Sequence, residues 1–314
     1  VVALPAMLSR GYHKNLALGS ICAGGGLATL IPPSVVFIMY GLTAGVSIGE
    51  LYVAGIIPGL LLATAYIGYI IIRCMVNPAL APKPPADERQ LPLGEKIKLL
   101  RELFLPALLA IGVLGSLYLG IATPTEAAGV GVVGAVITML INRSFSWARI
   151  GAAVRDTTLV TVMLYWLFFG SSALVGVYTL AGGTKLIQDT LHSLPLGPIG
   201  VLILIQLIWI VLGCFIDWIG ILLLTAPIFV PVVVALGFDP VWVGVLFCVN
   251  MQISYISPPF GPAAFYLKGV VPPGITLGDI FRSVWPYLIL QFLVLGLLIA
   301  FPELALWLPS TMRD

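Results

Sequence analysis

Charge is what this 314-residue chain has least of. Lys, Arg, Asp and Glu supply 9% of it against 60% hydrophobic residues, and mean hydropathy is +1.11. A soluble domain needs far more polar surface. Chemistry-bearing motifs are also missing. No HExxH, Gly-x-Ser-x-Gly or P-loop occurs, so no enzyme is predicted. The four cysteines, Cys22, Cys74, Cys214 and Cys248, lie in or beside apolar runs with no CxxC and read as small hydrophobes. His13 and His192 fall in connecting segments. Short alternating strands, the mark of a membrane barrel, do not appear. A channel needs a continuous polar lining, and the sparse intramembrane charges argue against one. A net charge of +2 gives no sign of a nucleic-acid partner.

What remains is apolar length. Leu51–Met75, Leu103–Gly120, Thr157–Leu180, Ile199–Gly213 with its sequel and Ile280–Ala300 each approach the ~20 residues that cross a bilayer as a helix. The fold class is therefore an all-α polytopic membrane protein. Threading the chain from one side at Arg10 and Lys14 makes Leu196–Ala235 enter and leave on the same side, as a re-entrant hairpin. Thirteen of the 15 Lys and Arg then share the side of Arg10, leaving Lys185 and Arg313 opposite. Positive residues collect in the cytoplasm, so that side is cytoplasmic and the carboxyl terminus periplasmic. Trp147, Trp242, Trp285 and Trp307 near span ends read as interfacial anchors. Ser144–Val154 and Lys185–Leu194 read as amphipathic surface stretches. The proline- and charge-rich Ala79–Leu91 reads as a flexible linker.

The chain also repeats itself. Residues 5–40 recur at 231–266, always 226 positions later: Gly11 answers Gly237, Pro32-Pro33 answers Pro258-Pro259, and Tyr40 answers Tyr266. After a three-residue insertion, Ser47-Ile48-Gly49-Glu50 answers Thr276-Leu277-Gly278-Asp279. Lys14, placed on the basic side, corresponds to Pro240, which follows Asp239 on the other. The copies are thus expected to face opposite ways, as in secondary transporters.

Each copy carries a double proline inside an apolar segment. Two adjacent prolines remove two helix donors and disfavour helix before them. Backbone freed inside a membrane must be buried in protein or line a wet cavity. One reading is a pair of structural kinks. The other is two sites in which half-helix amino ends face an anion and freed carbonyls face a cation such as Na⁺. Asp217, at the tip Leu212–Trp218 of the hairpin, is either the cap of its second arm or a cation ligand. Thr225 on that arm is a candidate ligand, with bonding back to its own helix as the alternative. Thr123-Pro124-Thr125-Glu126 reads as a capping box, and Ser47–Glu50 and Thr276–Asp279 read the same way.

Several runs together resemble the large membrane subunit of tripartite ATP-independent periplasmic (TRAP) transporters. They are Ala23–Leu27 with Leu30–Ser34, Ser47–Gly59, Ala122–Ala128, Asp217–Gly220 and Asn250–Gly261. The resemblance covers essentially the whole chain. It implies a bacterial or archaeal inner-membrane importer of organic anions, mostly carboxylates, with Na⁺ as the coupling ion. It also implies an elevator-type mechanism, a small four-helix membrane subunit and a soluble periplasmic substrate-binding protein. Carried over, the first Na⁺ site would use Gly24, Gly26, Thr29 and Pro32. The second would use Asp217, Thr225, Gln252, Ser254 and Pro258. Gly25, Gly26, Pro33, Ser34, Asn250, Ser257 and Pro259 would meet the substrate. Residues 1–50 then form the first-repeat transport core, 51–76 a scaffold helix, 77–102 a cytoplasmic linker, 103–195 second-repeat scaffold, 196–268 the second transport core and 269–314 a terminal scaffold helix. The family's first hairpin, expected just before Val1, is not in the chain, which therefore reads as an amino-terminally truncated form. A Na⁺-coupled dicarboxylate elevator of another family, working without a binding protein, is the alternative, although its Ser-Asn-Thr hairpin motifs are not seen. A membrane channel is a remoter one.

Overall fold

The structure is a computed structural model that describes residues 3–82, 93–118, 121–183, 185–187, 190, 195–272 and 274–311. Regular structure among the described residues is entirely helical. The principal helices are α1 Ala3–Ser9, α2 Lys14–Gly26, α3 Val35–Ala44, α4 Ile48–Val76, α5 Leu93–Tyr118, α6 Pro124–Ile141, α7 Trp147–Leu180, α8 Pro198–Gly213, α9 Trp218–Ala235, α10 Pro240–Ile256, α11 Pro262–Lys268, α12 Leu277–Ala300 and α13 Glu303–Ser310. Five of them, α4, α6, α7, α9 and α12, are long and apolar enough to cross a membrane. The short apolar helices α3, α8 and α10 belong to the broken segments and the hairpin.

Local chemistry explains the boundaries. Ser47 opens α4 by accepting from the Glu50 amide at 3.3 Å. Its counterpart Thr276 opens α12 with a reciprocal box: Thr276 N donates to Asp279 Oδ2 at 2.9 Å, and Asp279 N donates to Thr276 Oγ1 at 3.1 Å. The predicted box at α6 is also present, with Thr123 N donating to Glu126 Oε2 at 2.8 Å. Left-handed glycines end the first segment of each copy at the same place, Gly11 at φ 80° and Gly237 at φ 87°.

The chain divides into two compact units. One is residues 83–166: α5, α6 and the first part of α7. Here Gly134 lets α6 approach Leu109 of α5 with no room for a side chain between them. The other, residues 1–82 and 167–314, holds both broken helices, the hairpin and α12. Its core is built from fully buried Phe37, Tyr40, Trp209 and Phe247. The Tyr40 and Phe247 rings stack 5.9 Å apart, and Trp209 meets Phe247 edge-on at 4.9 Å.

Three contacts within this unit fix the relative direction of the copies. Lys14, at the start of α2, pairs at 2.9 Å with Asp279 at the start of α12. The Trp242 Nε1–H, at the start of α10, donates at 2.9 Å to the carbonyl of Leu298 at the end of α12. So α2 runs with α12, α10 runs against it, and α2 and α10 are antiparallel. The Tyr40 hydroxyl, near the end of α3, donates at 3.0 Å to the Pro240 carbonyl, which places the end of the first broken segment beside the start of the second. The internal repeat is inverted, as the charge pattern predicted.

Some expectations change. Trp242 is 2% exposed and brackets α10 to α12, so it is not an interfacial anchor, whereas Trp147, Trp285 and Trp307 stay exposed. The sequence reading saw an indole near a span end but not the carbonyl that captures it. Ser144–Val154 leads straight into the span rather than forming a separate surface helix: α7 is continuous from Trp147 to Leu180, with no proline inside it and Gly151 carried within the helix. Most of Lys185–Leu194 and residues 83–92 of the linker lie outside the described residues, and α5 starts at Leu93. The helix α13, unforeseen, packs on α4 beyond a break at Phe301-Pro302.

Candidate transport site

Both double-proline positions interrupt their helices. After Gly26, α2 tightens into the 3-10 turn Leu27–Thr29 and loses helical form through Ile31–Ser34 before α3 begins. Ser34 caps α3 by accepting from the Phe37 amide at 3.4 Å and donates its own proton to the Thr29 carbonyl. The Thr29 hydroxyl donates to the Gly26 carbonyl at 2.9 Å. In the second copy α10 ends at Ile256, and residues 257–261 are irregular before Pro262 opens α11. The Pro32-Pro33 and Pro258-Pro259 peptides are both cis.

The two breaks touch at equivalent positions. Gln252 Nε2–H donates to the Gly26 carbonyl at 2.7 Å across a separation of 226 residues, which is the repeat interval itself. A residue bonded to its own counterpart lies on the axis that relates the copies. Gly26 also faces the Tyr255 ring.

The hairpin closes on the same place. α8 and α9 are joined by a tight turn at Cys214–Ile216, and Asp217 caps α9 by accepting from the Ile219 amide at 3.2 Å. Asn250 on α10 donates through Nδ2 to the Gln206 carbonyl at 2.9 Å and to Gln206 Oε1 at 3.0 Å. One turn after Trp209, Gly213 lies directly on Ser254, so close that a side chain at 213 would occupy the hydroxyl's position. A cleft of about 10 Å³, the scale of a single water, is lined there by Gly213, Asp217, Ser254, Tyr255, Phe260 and Pro262. Asp217 is half-buried at its edge.

Some buried oxygens on α10 and on the break that follows it are unused. Gln252 Oε1, Asn250 Oδ1 and Ser257 Oγ are buried with no partner among the described residues. Unpartnered buried polar atoms are costly, so each of these is a candidate ligand donor; Asn250 faces Gln206 of α8 and Gln252 faces Gly26 of α2, on different sides of α10. Among the described residues no three His, Cys, Asp or Glu gather around a common point. The donor set is therefore neutral oxygen with one carboxylate at most, which fits a hard alkali cation rather than zinc or another transition metal.

The other predicted residues are placed as follows. Gly25, exposed, opens onto a cleft of about 170 Å³ shared with Ile21, Cys22, Tyr255, Ala263 and Tyr266. Gly24, Pro33 and Pro259 are exposed, Pro32 is buried and Pro258 half-buried. Ser254 Oγ donates back to the Asn250 carbonyl at 3.2 Å. Thr225 sits two turns down α9 from the tip: its hydroxyl donates to the Ile221 carbonyl at 2.6 Å and accepts from Trp209 Nε1 at 2.8 Å. Gln206, Gly213, Tyr255 and Phe260 belong to the junction although the sequence did not single them out. Gln206 carries a sequence signal as a lone amide inside the apolar run Val201–Ile210, while Gly213 lay in the predicted hairpin tip and Tyr255 and Phe260 in the run Asn250–Gly261 without being named as site residues.

Two inverted copies of one membrane unit, each opened at mid-segment and joined at those openings, define a secondary transporter of the inverted-repeat class. The chain matches, over residues 1–304, the family described as tripartite ATP-independent periplasmic transporter, DctM component, and it belongs to that family. It is 31% identical to the C4-dicarboxylate TRAP transporter large permease protein DctM of Vibrio cholerae, covering 98% of this chain and 71% of that protein. It is 32% identical to the ectoine TRAP transporter large permease protein TeaC of Halomonas elongata, covering 97% and 70%. With the sialic acid TRAP transporter large permease protein SiaM of Vibrio cholerae it shares 31% identity over 98% and 70%. This membership sets aside an elevator of another family and a channel. The family is a transporter component rather than an enzyme class, and with its apolar helices it makes this a multi-pass inner-membrane protein.

Proposed function

We propose that this chain is the permease of a Na⁺-coupled importer of a small organic anion bearing a carboxylate. A periplasmic substrate-binding protein delivers the anion, and a small membrane subunit completes the complex. The observation that carries the proposal is the Gln252–Gly26 bond between equivalent residues, with the hairpin tip against Ser254 on the same junction. Asp217, Asn250, Ser254 and Ser257 supply oxygens for one cation, and Gln252, which faces Gly26, helps the first break at Gly24, Gly26, Thr29 and Pro32 to hold another. The exposed prolines Pro33 and Pro259 and the open glycine Gly25 face the anion. No arginine lies among these residues, so half-helix amino ends supply the positive potential. Residues 1–50 and 196–268 move as a transport core against the remaining helices. Family membership supports the partners, and carboxylate is the group common to the cargoes for which the three relatives are named.

The test is uptake into liposomes that contain the assembled transporter with its binding protein. Uptake should require an inward Na⁺ gradient and leave the cargo chemically unchanged. Asp217→Asn keeps a residue that caps well while removing the charge, so it should raise the Na⁺ concentration for half-maximal uptake with little loss of thermal stability. Uptake that is indifferent to Na⁺ in the wild type would end the proposal.

A further inference from the structure

The internal repeat duplicates a surface cleft as well as the transport junction. At one end of the larger unit a cleft of about 160 Å³ lies between the start of α2, the end of α4 and the start of α12. His13, Asn15, Arg73, Arg282 and Tyr287 line it. At the opposite end a cleft of about 250 Å³ is lined by Asp239, Val241, Glu303, Leu306, Pro309 and Ser310. These are the same place in the two copies: His13 corresponds to Asp239, Asn15 to Val241 and, past the three-residue insertion, Leu80 of the first cleft to Pro309 of the second. The architecture is shared and the charge is opposite.

The basic cleft has a surplus it does not use internally. Among the described residues the nearby acid Asp279 is paired with Lys14 at 2.9 Å. Among the described residues neither the Arg73 nor the Arg282 guanidinium has an ion-pair or hydrogen-bond partner. Tyr287, which lines the cleft, is 1% exposed, and its hydroxyl is buried without a partner. Two forked guanidiniums, an imidazole, an amide and a phenol hydroxyl are donors suited to a phosphate oxyanion. The setting is the ends of two span-length helices, α4 and α12, with Trp285 exposed to the surroundings one residue from Pro286 of the wall. That is the depth of lipid headgroups.

We propose that the Arg73–Arg282 cleft binds a phosphate oxyanion, in the membrane the headgroup phosphate of an anionic phospholipid in the leaflet on the basic side. The acidic counterpart cleft does not bind one. A free phosphate would satisfy the same donors, so the test separates the two sources. The full transporter is purified in neutral detergent, and its melting temperature is followed while phosphatidylglycerol, phosphatidylcholine or inorganic phosphate is added. Phosphatidylglycerol should stabilise the wild type at lower concentration than phosphatidylcholine. Arg73→Gln with Arg282→Gln should weaken that preference by about 30-fold, from the ~1 kcal/mol each base near a lipid surface contributes. Asp239→Asn with Glu303→Gln, a change of the same size and opposite sign in the other cleft, should leave it intact. Tyr287→Phe should weaken it as well, without a change of charge. Stabilisation by inorganic phosphate alone, lost in the double arginine variant, would assign the same donors to the free ion. The proposal is overturned if neither ligand discriminates the wild type from the arginine variant, or if both charge variants shift equally.

Discussion

At the scale of single residues, the site rests on contacts between unlike neighbours. Gly213 and Ser254 leave no space for a methyl group. Gly213→Ala is expected to force the hairpin tip off α10 and cost ~1–3 kcal/mol, seen as a lower melting temperature together with weaker Na⁺ dependence of uptake. Gln252→Leu keeps the volume but removes the side-chain donor that α10 gives to the Gly26 carbonyl. A loss of ~1 kcal/mol is expected, with a larger effect on transport than on melting. Unchanged uptake would show that the bond merely packs the axis. The sequence made the residues of both breaks legible because proline, glycine and intramembrane amides are conspicuous in an apolar run. It did not reveal Gly213 or Tyr255, since their role comes from where another helix passes. It also misread Trp242, an indole whose N–H is claimed by the Leu298 carbonyl.

At the scale of elements, short-range rules carried most of the reading. Capping residues start α4, α6, α9 and α12 where the sequence placed them. Thr276→Ala removes the side-chain half of the α12 box and should cost about 1 kcal/mol. Hydrogen exchange should then quicken at the Asp279 and Ile280 amides, and Thr276→Ser should restore them. An unaltered exchange rate would mean that the Lys14–Asp279 pair and the neighbouring α2 hold the turn alone. What local rules could not give was the extent of α7 or the existence of α13. No proline lies near Arg155 and Gly151 is carried within the helix, so α7 continues past the polar segment. The motif Phe301-Pro302-Glu303 both ends one helix and starts another, which apolar periodicity does not separate.

For the whole molecule, antiparallel copies make a prediction about sides. Lys14, Arg73 and Arg282 share one end of the larger unit, while Asp239 and Glu303 share the other. Cysteine placed at Asp239 should react in intact cells with a membrane-impermeant maleimide, and cysteine at Arg282 only after the membrane is opened. Labelling of both from outside would refute the inverted arrangement. This level was readable in the sequence because the repeat interval and the distribution of bases agree. Their meeting point was not. A fold generated by two separate, identical chains would be obliged to put the same amino acid on both sides of that central crossing. Glycine against glycine would leave a hole there, and glutamine against glutamine would crowd it. Joining the halves in one polypeptide lets a long side chain face a bare backbone, so the centre of the machine depends on the two halves having ceased to be alike.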